Sequence, residues 1–159
     1  MVKLKIIAVG GIKEKYLKDA CDEYIKRLTP YCRVEITEIK EGQLPDNPSG
    51  EEIKNVLMVE GMRILTEIPL RAHTIALCVE GKEVSSEEIA QQLTTITNTT
   101  NCICFIIGGS YGLAPEVKKA CASQMSFSRL TFPHQLMRVI LLEQVYRGFM
   151  INNGRTYHK

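Results

Sequence analysis

The order of apolar runs and helical periodicities predicts an α/β fold, a mainly parallel sheet with helices on both faces. Two observations carry that expectation. Strand-like runs at 3–9, 33–39, 73–79 and 102–107 alternate with stretches whose apolar residues recur at helical spacing. Two of the runs, "HTIALCV" after its first two residues and "CICFII", are continuously apolar, as expected of strands covered on both faces.

"KLKIIAV" opens the chain as a strand and ends at Gly10-Gly11. Tyr16, Leu17, Ala20, Cys21, Tyr24, Ile25 and Leu28 then mark a helix, supported by the pairs Glu14/Lys18, Asp22/Lys26 and Glu23/Arg27 and stopped at Thr29-Pro30. "RVEITEI" alternates as a second strand, and "EGQLPDNPSG", with its prolines and glycines, is a loop. A second helix covers 51–67, with Gly61 as a soft spot. After the strand 73–79, Ser85-x-x-Glu88 forms a capping box that opens a helix reaching about residue 97. The strand 102–107 leads into "GGSYG" and a helix that Pro115 helps to start. A short segment, "MSFSRLTF", precedes Pro133, which opens a long final helix through residue 149.

One domain spanning 1–159 suits a chain of this length. Hydrophobic residues at 45% and charged residues at 24% exclude wholesale disorder. No apolar run approaches the ~18 residues of a membrane span, and the N-terminus lacks a small-residue cleavage site, so a cytoplasmic location is expected. The six cysteines form no CxxC pair and no Cys/His cluster, which favours structural thiols over zinc; no metal is expected. Charge is uneven: residues 41–116 hold four Lys/Arg against eleven Asp/Glu, whereas residues 117–159 hold seven Lys/Arg against Glu143 alone. A basic end on a near-neutral chain suggests an anionic partner met locally.

In open parallel sheets, ligands sit beyond the carboxyl ends of strands. Three segments end in this way: Val79-Glu80-Gly81, Ile107-Gly108-Gly109 and Phe127–Phe132. "FIIGGSYGLAPEV" has the strand, glycine turn and helix of a phosphate-cradling loop, but neither G-x-G-x-x-G nor Gly-Lys-Ser/Thr is present. A nicotinamide- or flavin-dependent enzyme of this fold class is a rival reading that the missing fingerprint disfavours. In the last helix Arg138 falls on the apolar stripe with Leu141, Leu142, Val145 and Phe149, one turn after His134. A buried guanidinium needs a partner: a carboxylate elsewhere in the chain, a ligand or a second subunit. The helix carries apolar residues on many sides, so Arg138's face is expected to lie against a second subunit and border the active site. Glu143 and Arg147 read as an ordinary i,i+4 surface pair. Tyr157, His158, Arg155 and Lys159 give the tail a phenol, an imidazole and two cations, suited to stacking on a base and holding a phosphate.

"FIIGGSYG", "SFSRLTFPHQLMRVILLEQVYRGF" and the terminal "YHK" resemble the RlmH family of SPOUT-class methyltransferases, and so do "KLKIIAVGGIKEKYLKDACDEYIKRL" and "IALCVEGK". The resemblance covers nearly the whole chain. It departs at Gly148, where the family pattern suggests alanine. It implies a C-terminal trefoil knot, a homodimer and S-adenosyl-L-methionine as cofactor. The implied reaction is methylation of N3 of a pseudouridine in a stem-loop of 23S ribosomal RNA on the assembled ribosome. The family's cofactor contacts fall here on Leu77, Gly108, Phe127, Ser128, Arg129, Leu130, Thr131 and Phe132. These are the three strand ends already singled out.

The acceptor imide must lose a proton during transfer, so His158 is expected to handle the proton, Tyr157 to stack on the base and Arg138 to stabilise the anionic base or a flanking phosphate. Arg129, Arg155, Lys159 and His134 are expected to meet RNA. A non-catalytic ribosome-assembly factor with the same fold is the alternative.

Overall fold

The structure, a computed structural model, describes residues 1–159. Ten elements follow in strict alternation: β1 (Val2–Val9), α1 (Lys15–Leu28), β2 (Cys32–Ile39), α2 (Gly50–Glu67), β3 (His73–Glu83), α3 (Ser86–Thr97), β4 (Cys102–Ile107), α4 (Pro115–Ala120), β5 (Ser123–Ser126) and α5 (His134–Asn152). The sheet has the order β2-β1-β4-β3-β5, and every pairing in it is parallel.

The period-2 alternation of strands explains why the central runs are apolar on both faces. Leu4, Ile6 and Ala8 of β1 join Ile103, Phe105 and Ile107 of β4 in one core, beneath α1, α3 and α5. Ile7, Val9, Cys104 and Ile106 point the other way and pack with Ile64 and Val117, beneath α2 and α4. Each layer removes a continuous apolar surface from water, the dominant favourable term in folding. All six cysteines are free, and burial pushes the Cys32 and Cys104 thiols up to about 12, so they are inert apolar fillers.

Both expected capping features at α3 are present: Glu88 N–H donates to Ser85 Oγ at 3.1 Å and Ser85 N–H donates to Glu88 Oε2 at 2.7 Å. α2 carries the same box at Ser49 and Glu52. The final helix begins at His134, with Pro133 as its cap, and runs three residues past Phe149 to Asn152.

Both helical glycines that looked like weak points are close approaches. A Cβ on Gly61 would lie 3.0 Å from Val117 Cγ2, and one on Gly148 would lie 2.8 Å from Leu93 Cδ1. Gly61 brings α2 onto α4, and Gly148 brings α5 onto α3. The lost helix propensity is therefore exchanged for packing.

β3 is longer than its apolar run. Leu77 and Lys82 both pair with Met125, so residues 78–81 loop out of the ladder. Gly81 permits the excursion: a Cβ there would sit 2.7 Å from the Met125 backbone. This loop faces the carboxyl edge of the sheet, where the functional residues gather.

Candidate methyl-transfer site

A cavity of about 680 Å³ opens beyond the carboxyl ends of β3, β4 and β5. Its size suits a nucleoside-sized ligand. Leu77, Gly108, Phe127, Ser128, Leu130, Thr131 and Phe132 all line it, so the three segments expected to converge do converge. Arg129 does not line it; its side chain is 92% exposed and lies 3.8 Å from Glu83.

Each wall is braced by its own backbone. After β4, Gly112 N–H donates to Gly109 O at 3.0 Å, and Gly112 takes φ +81°, the left-handed region open to glycine. A Cβ on Gly108 would fall 2.4 Å from Gly112 O, so the turn admits no larger residue there. After β5, Ser126 Oγ donates to Ser128 O at 2.9 Å and Leu130 N–H donates to Ser128 Oγ at 3.0 Å, fixing the 127–132 loop. Glu80, on the β3 excursion, is paired with Lys118 of α4. The Lys118 ammonium holds the Glu80 carboxyl below its ordinary value, and both residues line the cavity.

Arg138 is only 3% exposed, and its partners are in its own chain. Nη2 donates to Gly10 O at 3.0 Å and Nη1 to Glu38 Oε2 at 3.3 Å, while buried Nε has no partner. This corrects the expectation that its face meets a second subunit. α5 packs against α1 and α3, which cover the Arg138, Leu141, Leu142 and Val145 side, while Leu136, Val139 and Ile140 stay partly exposed. His134, four residues earlier, does line the cavity, together with Met137.

The tail is docked on α5, away from the cavity lining. Tyr157 Oη donates to Glu143 Oε1 at 3.1 Å, and its ring meets Tyr146 edge-on at 4.9 Å between centroids. Arg147 Nη1 lies 3.2 Å from His158 Nδ1, and His158 Nε2 lies 2.9 Å from Glu87 Oε1. Arg147 also donates to Glu143 at 3.0 and 2.6 Å. The supposed surface pair is thus the part-buried centre of a latch. The sequence signal was available: Glu143 is the lone acid among seven basic residues after position 116. Arg155 and Lys159 stay exposed.

A parallel sheet with a pocket formed by glycine turn, β3 excursion and pre-α5 loop defines the class. Residues 2–158 match the family described as "Predicted SPOUT methyltransferase", and the chain belongs to that family. Among its relatives, "Ribosomal RNA large subunit methyltransferase H" of Ligilactobacillus salivarius (strain UCC118) is 50% identical over 159 residues, 99% of this chain and 100% of the relative. Proteins of the same name from Streptococcus thermophilus (strain ATCC BAA-491 / LMD-9) and Clostridioides difficile (strain 630) are 51% and 48% identical, with the same coverage. The resemblance to the RlmH family therefore stands over the full length. A solved structure, "a probable methylase family protein from Haemophilus influenzae Rd KW20", superposes with a TM-score of 0.55 at 9% identity, covering 99% of this chain and 70% of that one. At that identity it bears on the fold alone.

Proposed function

We propose that this protein methylates large-subunit ribosomal RNA, using S-adenosyl-L-methionine to modify N3 of a pseudouridine in a 23S stem-loop of the assembled ribosome. The observation that carries the reading is the meeting of Leu77, Gly108 and the 127–132 loop around one cavity of about 680 Å³. The names borne by relatives at about half identity supply the substrate class.

The lining fits an adenosine-bearing cation. Leu77, Val79, Ile107 and Phe127 offer apolar contact, Gly108 and the braced loop offer backbone groups, and Glu80 offers a carboxylate. Those residues, with Leu130, Thr131 and Phe132, would hold the cofactor, and Arg129 would contribute its backbone. The bound sulfonium supplies an activated methyl group without a metal. Arg138 acts through the backbone, anchoring the Gly10 turn behind His134. Arg155 and Lys159 would meet RNA phosphates in a salt-dependent manner.

The tail lies outside its own chain's cavity. In the homodimer that the family resemblance implies, Tyr157 and His158 of one protomer would serve the RNA bound over its partner's cavity, and the C-terminal part of each chain would be threaded as a trefoil knot. The deciding experiment uses ribosomes from a strain lacking this gene, labelled S-adenosyl-L-methionine and mass spectrometry of the recovered 23S RNA. Expected is one methyl group on one pseudouridine. No transfer to ribosomes, subunits or free RNA, with no heat of cofactor binding, would overturn the reading.

A further inference from the structure

The cavity has a wall that the donor-holding loops do not supply. His134 of the first turn of α5 and Ser110 of the β4 turn form it, and behind Ser110 a neighbouring cavity is lined by Glu41, from the loop after β2. A Cβ on Gly10 would lie 3.4 Å from His134 Nε2 and 3.5 Å from Glu41 Oε2. The imidazole and the carboxylate therefore both come close to one glycine. Gly10 has φ +84°, and its carbonyl is held by Arg138, so the turn between them is fixed. A Cβ on Gly109 would lie 3.2 Å from Glu41 Oε1, which also accepts from Ser110 Oγ at 3.4 Å. Two strand-end glycines thus make the room that Glu41 occupies.

Charge matching singles out the same pair. Around this wall Glu38 is matched by Arg138 and Glu80 by Lys118. Glu41 has no ion-pair partner, and across Gly10 from it stands the His134 imidazole. His158, by contrast, is committed. Its Nδ1 faces the Arg147 donor and its Nε2 faces the Glu87 carboxylate. The network therefore assigns it an Nε2–H tautomer with both nitrogens in use.

We propose that His134 is the catalytic group that takes the imide proton, and that Glu41 is a positioning residue that stabilises the resulting imidazolium. This rests on the function proposed above. The N3–H bond breaks and its proton passes to the imidazole. The N3 electron pair forms the bond to the methyl carbon, and the carbon–sulfur bond of the sulfonium donor breaks with its pair left on sulfur as a neutral thioether. The imidazolium then releases its proton to solvent. Across Gly10 from His134 stands Glu41; Arg138, paired with Glu38, holds the Gly10 carbonyl, and Ser110 and the Lys118–Glu80 pair line the same cavity.

The test starts with wild-type protein and unmethylated ribosomes. Absence of transfer there counts against the proposed function. The His134–Glu41 pairing is still judged by ¹⁵N NMR, in which the His134 ring signals are expected to move on Glu41→Gln. If wild type is active, His134→Ala and His134→Gln are expected to lower kcat about 100-fold or more. Donor affinity by calorimetry and melting temperature should stay at wild-type values, and added imidazole should restore turnover to His134→Ala. Glu41→Gln is expected to lower kcat while leaving KM for ribosomes unchanged. Turnover of His134→Gln within fivefold of wild type, an unchanged kcat in Glu41→Gln, or ring signals indifferent to Glu41→Gln would overturn the proposal.

Discussion

Arg138 and Arg147 lie on one helix and do opposite work. Arg138 is sunk in the core side of α5 and holds a backbone carbonyl and one carboxylate; the groups it fixes belong to the strand-end turn beside the cavity. Arg147 is a quarter exposed and holds side chains, the Glu143 carboxylate and the His158 ring. The same side chain type therefore serves as a fold-bearing bolt at the start of the helix and as half of a latch near its end. Burial decides which, because a guanidinium away from water cannot lose a partner cheaply, whereas one near solvent can exchange it.

The sharpest way to break this comparison is to remove what the latch holds. Deletion of Tyr157–Lys159 is expected to lower methyl transfer to ribosomes by about 100-fold or more through lost alignment, while calorimetry shows cofactor affinity unchanged. Full activity of the deleted chain would detach the tail from the chemistry. Replacing the arginines separates the two regions by stability. Arg138→Met is expected to cost roughly 2–4 kcal/mol in urea unfolding, since it orphans Gly10 O and leaves Glu38 unpaired. Arg147→Met is expected to cost under about 1 kcal/mol.

pH resolves the latch more finely. Burial first, then the hydrogen bond with Tyr24 and the nearby Glu143, push the Tyr157 phenol up to about 12 from an ordinary 10.0. The docked tail favours the neutral phenol. Its contribution is therefore complete below pH 10 and is lost as pH rises from there through 12. Phenolate absorbance, taken as the difference between wild type and Tyr157→Phe, should have its midpoint near 12; a midpoint at 10 would mean that the tail is free. The smallest effect belongs to Gly148→Ala. The gain of about 1 kcal/mol in helix propensity opposes the cost of moving Leu93 Cδ1, and a change in stability under about 1 kcal/mol is expected by thermal unfolding.

Much of the fold was legible because its signals are local. Continuous apolar runs marked β3 and β4, the Ser85 and Glu88 pair marked α3, and the rule that ligands gather at strand carboxyl ends picked out three loops that do share a cavity. What was misread had partners far away in sequence. Gly61 read as a soft spot and Gly148 as a departure from the family pattern because the helices they admit, α4 and α3, cannot be seen from the helices that carry them. Glu143 and Arg147 looked like a surface pair because Tyr157 and His158 reach them only once the tail folds back. Arg138 was recognised as needing a partner, but Gly10 O and Glu38 became its partners only when β1, β2 and α5 were brought together.

From the sequence alone followed the alternation of elements, the two-faced burial of the central strands and the three loops of the cavity, since periodicity and turn chemistry are properties of neighbouring residues. The strand order, the β3 excursion and the juxtaposition of Glu41 with His134 were decided by the tertiary structure. They depend on which surfaces meet in space, and contact across a sheet is paid for by packing rather than by any pattern along the chain.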